Sequence, residues 1–260
     1  MSGATDAVHR AAADGYAAKA DAYVRGRPDY PDDILGWLRG NLDLGPGKVV
    51  VDLGAGTGKF TAYLRKTGAR VIAVEPVAEM RQKLSASFPD VEALAGTAQA
   101  IPLPDASVDA LTCATAFHWF ATTETMREIH RVLKPGGKLG LIWNVRDESV
   151  AWVKEVARIV NAYEGDVPRQ ASGAWKKAFP FEGIGPLQEV RFPHGHTGSP
   201  EDVIVNRART VSFIAALPKE EEAKVVAQVR ALIAAEPSLA GRTTVTMPYV
   251  TTAYSATKIG

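Results

Sequence analysis

The sequence predicts an α/β fold, a doubly wound and mostly parallel sheet. Three observations predict it. The stretch VVVDLGAGTGKF, residues 49–60, runs from a β-branched apolar segment through a glycine-rich turn into a helix-compatible segment. Strand-like and helix-like segments then alternate over residues 48–145. Every residue of chemical interest falls at the carboxyl end of an expected strand, where doubly wound sheets bind their ligands.

The first strand, residues 49–51, is a short buried run of valines that breaks at Asp52 and Leu53. Gly54, Ala55, Gly56 and Gly58 form the turn. Glycine lets the backbone bend tightly and lets a ligand approach without meeting a Cβ. The helix over residues 59–66 presents its free N–H groups and positive dipole end to the same place. The spacing G-x-G-x-G differs from the dinucleotide fingerprint G-x-G-x-x-G, because Lys59 stands where the third glycine would be. Asp52 adds to the difference, since a carboxylate there repels a diphosphate and attracts a cationic or amino-bearing ligand.

A second buried strand, residues 69–74, ends at Glu75 and Pro76. That acid lies about 20 residues past the glycine turn, where a carboxylate can accept both ribose hydroxyls of an adenosine ligand. A helix over 77–87 places Val77, Met80 and Leu84 on one face. A third strand (91–94) and a fourth (108–114) follow, the latter releasing Thr115, Phe117, His118, Trp119 and Phe120 at its end. A helix over 122–133 stops at Lys134-Pro135-Gly136-Gly137, read as a turn, before a fifth strand over 138–143.

Flanking this alternation, residues 4–24 are helix-prone. Pro31 can open another helix, with Asp32 and Asp33 in its first turn. After residue 145, helices are expected over 148–163, 199–216 and 219–235. The last carries Val226, Val229 and Ile233 on one face, opposite Glu222 and Lys224. Residues 187–192 and 243–249 alternate like strands.

Composition narrows the function classes. The chain has 260 residues, 46% apolar and 23% charged, with net charge +1. That is ordinary for a globular protein and does not favour a polyanionic partner, so no nucleic acid is expected. The one cysteine, Cys113, lies in an apolar run and reads as a small buried hydrophobe. Residues 1–24 are interrupted by charges, and no stretch reaches the ~18 apolar residues of a membrane span. A cytoplasmic protein without membrane partner is expected. His194-Gly195-His196 reads as a solvated loop, and no metal is expected.

The segments VVDLGAGTGKFT, VIAVEPVAEM, GTAQAIPLPDASVDAL and EIHRVLKPGGKLGLIWN together resemble the class I S-adenosylmethionine-dependent methyltransferases of type 11. YVRGRPDYP and AFHWF resemble the trans-aconitate methyltransferase-like branch. The resemblance implies a Rossmann-like sheet of seven strands, the last antiparallel, with an N-terminal helical cap over residues 1–47. It places the cofactor-binding core in 48–145, and the substrate lid with the last two strands in 146–260. It implies that Gly54, Ala55 and Gly56 face the methionine part of the cofactor, with Asp52 near its amino group and Glu75 and Pro76 near its ribose. Met80, Thr97 and Ala98 would flank the adenine, Ala114 would end the fourth strand, and Tyr23 and Arg27 would close over the cofactor. Many relatives carry an acid before the Thr97-Ala98 pair; Gly96 stands there instead.

Methyl transfer needs a positioned acceptor and a dry site, with no metal. Phe117, Trp119, Phe120, Trp143 and Trp152 are candidates for its wall, or for plain core packing. His118 is the candidate catalytic residue, able to deprotonate a hydroxyl or to orient a carboxylate. The reading is methyl transfer to an oxygen or nitrogen of a small organic molecule, with a carboxylic acid as one acceptor class. The oligomeric state is left open. Three rivals stand beside it: a nicotinamide oxidoreductase, a methyltransferase of nucleic acid or protein, and a cofactor-binding protein with non-methylating chemistry.

Overall fold

The computed structural model describes residues 27–165 and 167–259. The helix expected over 4–24, and Tyr23 with it, lie outside the described residues. The chain divides into two compact units that interleave along the sequence. Among the described residues, one takes 30–144, 168–192 and 251–259, and the other takes 27–29, 145–165, 167 and 193–250.

The larger unit opens with α1 (Asp33–Asn41). β1 (Val49–Leu53), α2 (Thr61–Arg65), β2 (Arg70–Val74), α3 (Ala78–Ser87), β3 (Glu92–Leu94) and β4 (Val108–Ala114) follow in the expected alternation. A 3-10 turn (Phe117–Trp119), α4 (Thr123–Val132) and β5 (Leu133–Arg146) complete it. β6 (Gln188–Gly198) and β7 (Val245–Thr257) join from later in the chain, giving seven strands in the order β3-β2-β1-β4-β5-β7-β6. β1 runs parallel to β2, with Val51 opposite Ile72, and parallel to β4, with Val51 opposite Leu111. β7 runs the other way. Lys138 near the start of β5 donates to Thr257 at the end of β7, while Asn144 near the end of β5 accepts from Thr251.

The central strands are buried on both faces, which is why their sequences are near-continuous apolar runs. Val50, Val51, Ala73, Val74, Ala110 and Leu111 are fully excluded from solvent. The sheet order β2-β1-β4, with all three strands parallel, places the tips of β1, β2 and β4 side by side at the carboxyl edge.

Lys134-Pro135-Gly136-Gly137 differs from expectation. It is the irregular start of β5 rather than a separate turn. The end of the chain explains it: Gly136 N–H donates to Lys258 O, and Lys258 N–H donates to Gly137 O. Lys258 is itself 9% exposed, and its ammonium donates to His130 O at 2.8 Å and Leu133 O at 2.9 Å. It therefore satisfies carbonyls that the end of α4 leaves unpaired, and it complements the helix dipole. Lys258→Met should cost about 2 kcal/mol, because it strips a charged donor from buried carbonyls. Chemical denaturation checks this.

The second unit is mainly helical. α5 (Ala151–Asn161), a π-helical segment (Glu201–Asn206), α6 (Arg207–Arg209), α7 (Ser212–Ala215) and α8 (Lys219–Ala235) surround one apolar core. The single helix expected over 199–216 is thus three short pieces. The buried face of α8 is also displaced from expectation. Val225 and Val229 are fully buried, Val226 and Ile233 are partly so, and Glu222 lies on the buried face. Glu222 is held there by Arg209, whose Nε donates to it at 2.8 Å. Trp152 belongs to this core, packed with Val153 and Val156. His194 and His196 lie within β6 and not in a loop. Among the described residues, no helix is long and apolar enough to cross a membrane.

Candidate functional site

The carboxyl tips of β1, β2 and β4 carry the residues singled out in the sequence. After β1 the chain bends through Gly54, Gly56 and Gly58, all with positive φ. Gly54 and Ala55 N–H both donate to Val74 O, which ties the turn to the end of β2. A Cβ on Gly54 would come within 3.0 Å of Ala116 Cβ, whereas among the described residues one on Gly56 would meet only Met80 Sδ at 4.0 Å. Gly56 therefore faces open space with Met80 across it, as a ligand cradle requires.

Two buried carboxylates border this space. Glu75, 5% exposed, accepts Gly56 N–H on Oε2 at 2.9 Å and Val77 N–H on Oε1 at 3.0 Å. It thus shapes the glycine turn from the neighbouring strand. The backbone at Glu75 and Pro76 is fixed in turn by Arg81, whose Nη1 donates to Glu75 O at 2.7 Å and Pro76 O at 3.2 Å. Asp52, 1% exposed, accepts the Thr61 hydroxyl on Oδ2 at 2.6 Å. Its Oδ1 is buried with no hydrogen-bond partner. Burial pushes the Asp52 carboxyl up to about 7; the negative charge of Glu75 adds to the rise and the Thr61 hydrogen bond opposes it.

A buried carboxylate oxygen without a donor is costly, and a cation beside it removes the cost. Two acids at one turn exclude a diphosphate for the same reason. The cradle suits a phosphate-free ligand that carries a positive charge.

The third wall is the loop after β3. Thr97 O accepts Ala100 N–H, and Ala98 is buried. Arg131 on α4 holds the continuation of this loop, donating to Ile101 O, Leu103 O and the Asp105 and Glu128 carboxylates. The departure at Gly96 has a steric reason: a Cβ there would lie 2.5 Å from Pro102 Cδ. An acid cannot replace it without moving that loop.

At the tip of β4, Ala114 is half-buried and Thr115 adopts a left-handed conformation, φ +56°. Such a residue is strained and persists where its surroundings hold it. Ile142 O accepts its N–H at 2.7 Å, and its hydroxyl lies 3.2 Å from the Tyr30 hydroxyl. Tyr30 is fixed by Tyr63, which exchanges hydrogen bonds with its backbone. The kink leads into the 3-10 turn that carries His118. There Trp143 Nε1 donates to His118 Nδ1 at 3.1 Å. Phe117 and Trp143 are core residues, 0% and 1% exposed, while Trp119 and His118 are partly exposed.

The larger unit thus brings together Asp52, Gly54, Ala55, Gly56, Glu75, Pro76 and Met80, with Thr97 and Ala98 on the adjoining loop. Ala114 and His118 lie on the β4 side. Arg27 belongs to the second unit, where its Nη2 donates to Thr210 O. Thr61, Arg81 and Tyr30 also shape the site without being legible as site residues in the sequence, although Thr61 and Tyr30 stand inside the motifs VVDLGAGTGKFT and YVRGRPDYP.

Comparison with known proteins bears directly on this geometry. A family described as a methyltransferase domain matches residues 51–141. An uncharacterized methyltransferase-like protein of Schizosaccharomyces pombe is 40% identical over 237 residues, 91% of this chain and 92% of that one. An uncharacterized methyltransferase of Mycobacterium tuberculosis is 38% identical over 236 residues, with 91% and 92% covered. The solved YcgJ protein of Bacillus subtilis shares the fold, with a TM-score of 0.59 at 20% identity over 87% of this chain and 98% of its own. A match to such relatives along nearly the whole chain, with the methyltransferase-domain match covering the glycine turn and both acids, leaves one conclusion: the chain belongs to the class I S-adenosylmethionine-dependent methyltransferases.

Proposed function

We propose that this enzyme methylates an oxygen or nitrogen of a small organic molecule, with a carboxylic acid as one acceptor class, and that it falls in the trans-aconitate methyltransferase-like branch. The observation that carries the reading is the Gly56 cradle, anchored by buried Glu75 and preceded on β1 by Asp52, whose buried Oδ1 has no hydrogen-bond donor. When bound, S-adenosylmethionine supplies a methyl group on a sulfonium, ready for in-line displacement.

The chain's own residues do the rest. Asp52 holds the cofactor's ammonium, and the turn from Gly54 through Ala55 to Gly56, completed by Gly58, faces its methionine part. Glu75 accepts the ribose hydroxyls. Each of its oxygens takes one backbone N–H, which aims the carboxylate at the glycine turn. Pro76 lies by the ribose, Met80 lines one side of the adenine, and Thr97 and Ala98 line the other. Ala114 leads to the acceptor side, where His118 meets substrate. In this reading residues 48–145 bind the cofactor, residues 1–47 with Tyr23 and Arg27 cap it, and residues 146–260 supply the lid and the last two strands. The enzyme works in the cytoplasm on small molecules, without metal or nucleic acid.

The test is a panel of small carboxylic acids, alcohols and amines incubated with methyl-labelled cofactor. Label is expected on an oxygen or nitrogen of an acceptor, with methyl esters as the product if a carboxylic acid is taken. Cofactor binding with no transfer to any acceptor would remove the methylating reading in favour of a non-methylating one. Tight NADH binding in place of S-adenosylmethionine would favour the oxidoreductase.

A further inference from the structure

We propose that Arg131 is a positioning residue for the cofactor: with Glu128 it holds the turn from Thr97 to Ala100 in its ligand-ready shape, so that the adenine meets a seat already formed. The role rests on the placement of the adenine against Thr97 and Ala98 proposed above.

The chain beyond that turn needs holding from outside. Residues 101–105 are Ile-Pro-Leu-Pro-Asp. Pro102 and Pro104 have no N–H, so the segment builds no regular ladder of its own. α4 supplies the partners. A guanidinium has five N–H donors in a rigid plane, and Arg131 uses all five. Its Nε donates to Glu128 Oε1 at 2.7 Å, and its Nη2 to Glu128 Oε2 at 2.7 Å. Nη2 also donates to Ile101 O at 2.9 Å. Nη1 donates to Leu103 O at 2.8 Å and to Asp105 Oδ1 at 2.8 Å. Glu128 Oε2 in turn accepts Ile101 N–H at 2.9 Å. The backbone of α4 completes the attachment: Arg131 O accepts Ala106 N–H, and Val132 O accepts Ser107 N–H. Glu128 and Arg131 are three residues apart and share one face of the helix, which keeps the pair aligned.

This grip reaches the turn from both ends. Ile101 directly follows the turn, in which Ala100 N–H donates to Thr97 O. Pro102 lies between the two carbonyls that Arg131 holds, and it packs against Gly96 at the start of the turn. A Cβ on Gly96 would lie 2.5 Å from Pro102 Cδ and 3.1 Å from Val74 Cγ1. Gly96 is thus wedged between the end of β2 and Pro102. One end of the turn is fixed through Ile101 and the other through Pro102. A seat ordered before the ligand arrives spares binding the entropy of ordering it. Loosening Arg131 should therefore weaken cofactor binding as well as the fold.

The test uses the full-length protein with S-adenosylhomocysteine as the probe. Hydrogen exchange read by mass spectrometry follows the backbone of residues 96–105, and calorimetry follows affinity. In wild type these amides should exchange slowly, and more slowly with the probe bound. Arg131→Lys keeps the charge but has three donors on a flexible stem. Glu128→Gln keeps an acceptor for Ile101 N–H but sets its NH2 group against an Arg131 donor. Each variant should speed exchange over 96–105 in the free protein and weaken binding by about tenfold, with a less favourable binding entropy. Saturating probe should restore slow exchange. If one variant fails to fold, the other decides. Asp105→Asn alters only the contact to a carboxylate whose side chain is 79% exposed, and both readouts should stay within about twofold of wild type. Faster exchange over 96–105 with unchanged affinity would overturn the proposal, because Arg131 would then serve the fold alone. Weaker binding with exchange over 96–105 unaltered would overturn it too, because the effect would not pass through the turn. A wild type that binds the probe without slowing exchange over 96–105 would overturn it for a different reason, by removing the adenine from this turn.

Discussion

Asp52→Asn is expected to weaken S-adenosylmethionine binding by about 100-fold while making the cofactor-free protein more stable above neutral pH. The two effects share one cause. Asp52 is buried, one of its oxygens has no hydrogen-bond donor, and its carboxyl is pushed up to about 7 from an ordinary 3.8. A carboxyl raised on folding contributes stability that is full below the unfolded value and is lost as pH rises toward the folded one. The cofactor-free fold therefore loses up to about 4 kcal/mol between pH 3.8 and about 7 from this group. Asparagine removes that loss, since it is isosteric and uncharged and still accepts from Thr61. Thermal melting at about pH 8 should show the variant above wild type, and melting at about pH 4 should show no gain. Calorimetry should show the loss of affinity. A second sign follows for wild type: the ammonium needs Asp52 ionised, so affinity should fall about tenfold per unit as pH drops below about 7. The variant should lack that slope.

Glu75→Gln should weaken cofactor binding by about 100-fold, and unlike Asp52→Asn it should also destabilise the free protein. In wild type the Glu75 carboxylate accepts from two backbone groups, Gly56 N–H and Val77 N–H. A glutamine can turn its oxygen to only one of them, and its NH2 group then opposes the other. The glycine turn loses its anchor and the ribose loses an acceptor in the same step. Hydrogen bonds to charged groups contribute about 1.5–3 kcal/mol each, and the stability loss should fall in that range. Equilibrium denaturation and calorimetry on the same preparation separate the two effects. Unchanged affinity would remove Glu75 from the site.

The contrast between these two acids shows what the sequence carries. Their positions were legible, because a glycine turn after a valine run and an acid at the end of the next strand are local patterns. Their environments were not. That Asp52 Oδ1 lacks a donor depends on which groups line the interior around it, and the donor to its other oxygen, Thr61, lies nine residues on. That Glu75 props up the glycine turn depends on β1 and β2 lying side by side. His118 was legible as a candidate at the end of β4. Its partner Trp143 was not legible as such, since the two are 25 residues apart and meet only through sheet pairing.

Tertiary contacts also explain the displaced elements. The buried face of α8 follows the ion pair between Glu222 and Arg209 and not hydrophobic periodicity alone. The start of β5 is strand and not turn because Lys258 brings the chain's end against Gly136 and Gly137. β6 runs to Gly198, beyond the expected residue 192, through Pro193 and Gly195, residues that read locally as breakers.

The central claim is that an adenosine sulfonium lies across the β1 and β2 tips with its ammonium toward Asp52. The most direct measurement is a crystal structure of the enzyme soaked with S-adenosylhomocysteine. The account predicts the amino nitrogen within about 3 Å of Asp52 Oδ1, both ribose hydroxyls on Glu75, and the adenine between Met80 and the Thr97–Ala98 loop. An amino acid end pointing away from Asp52, or a ligand whose phosphates fill the Gly56 cradle, would contradict it.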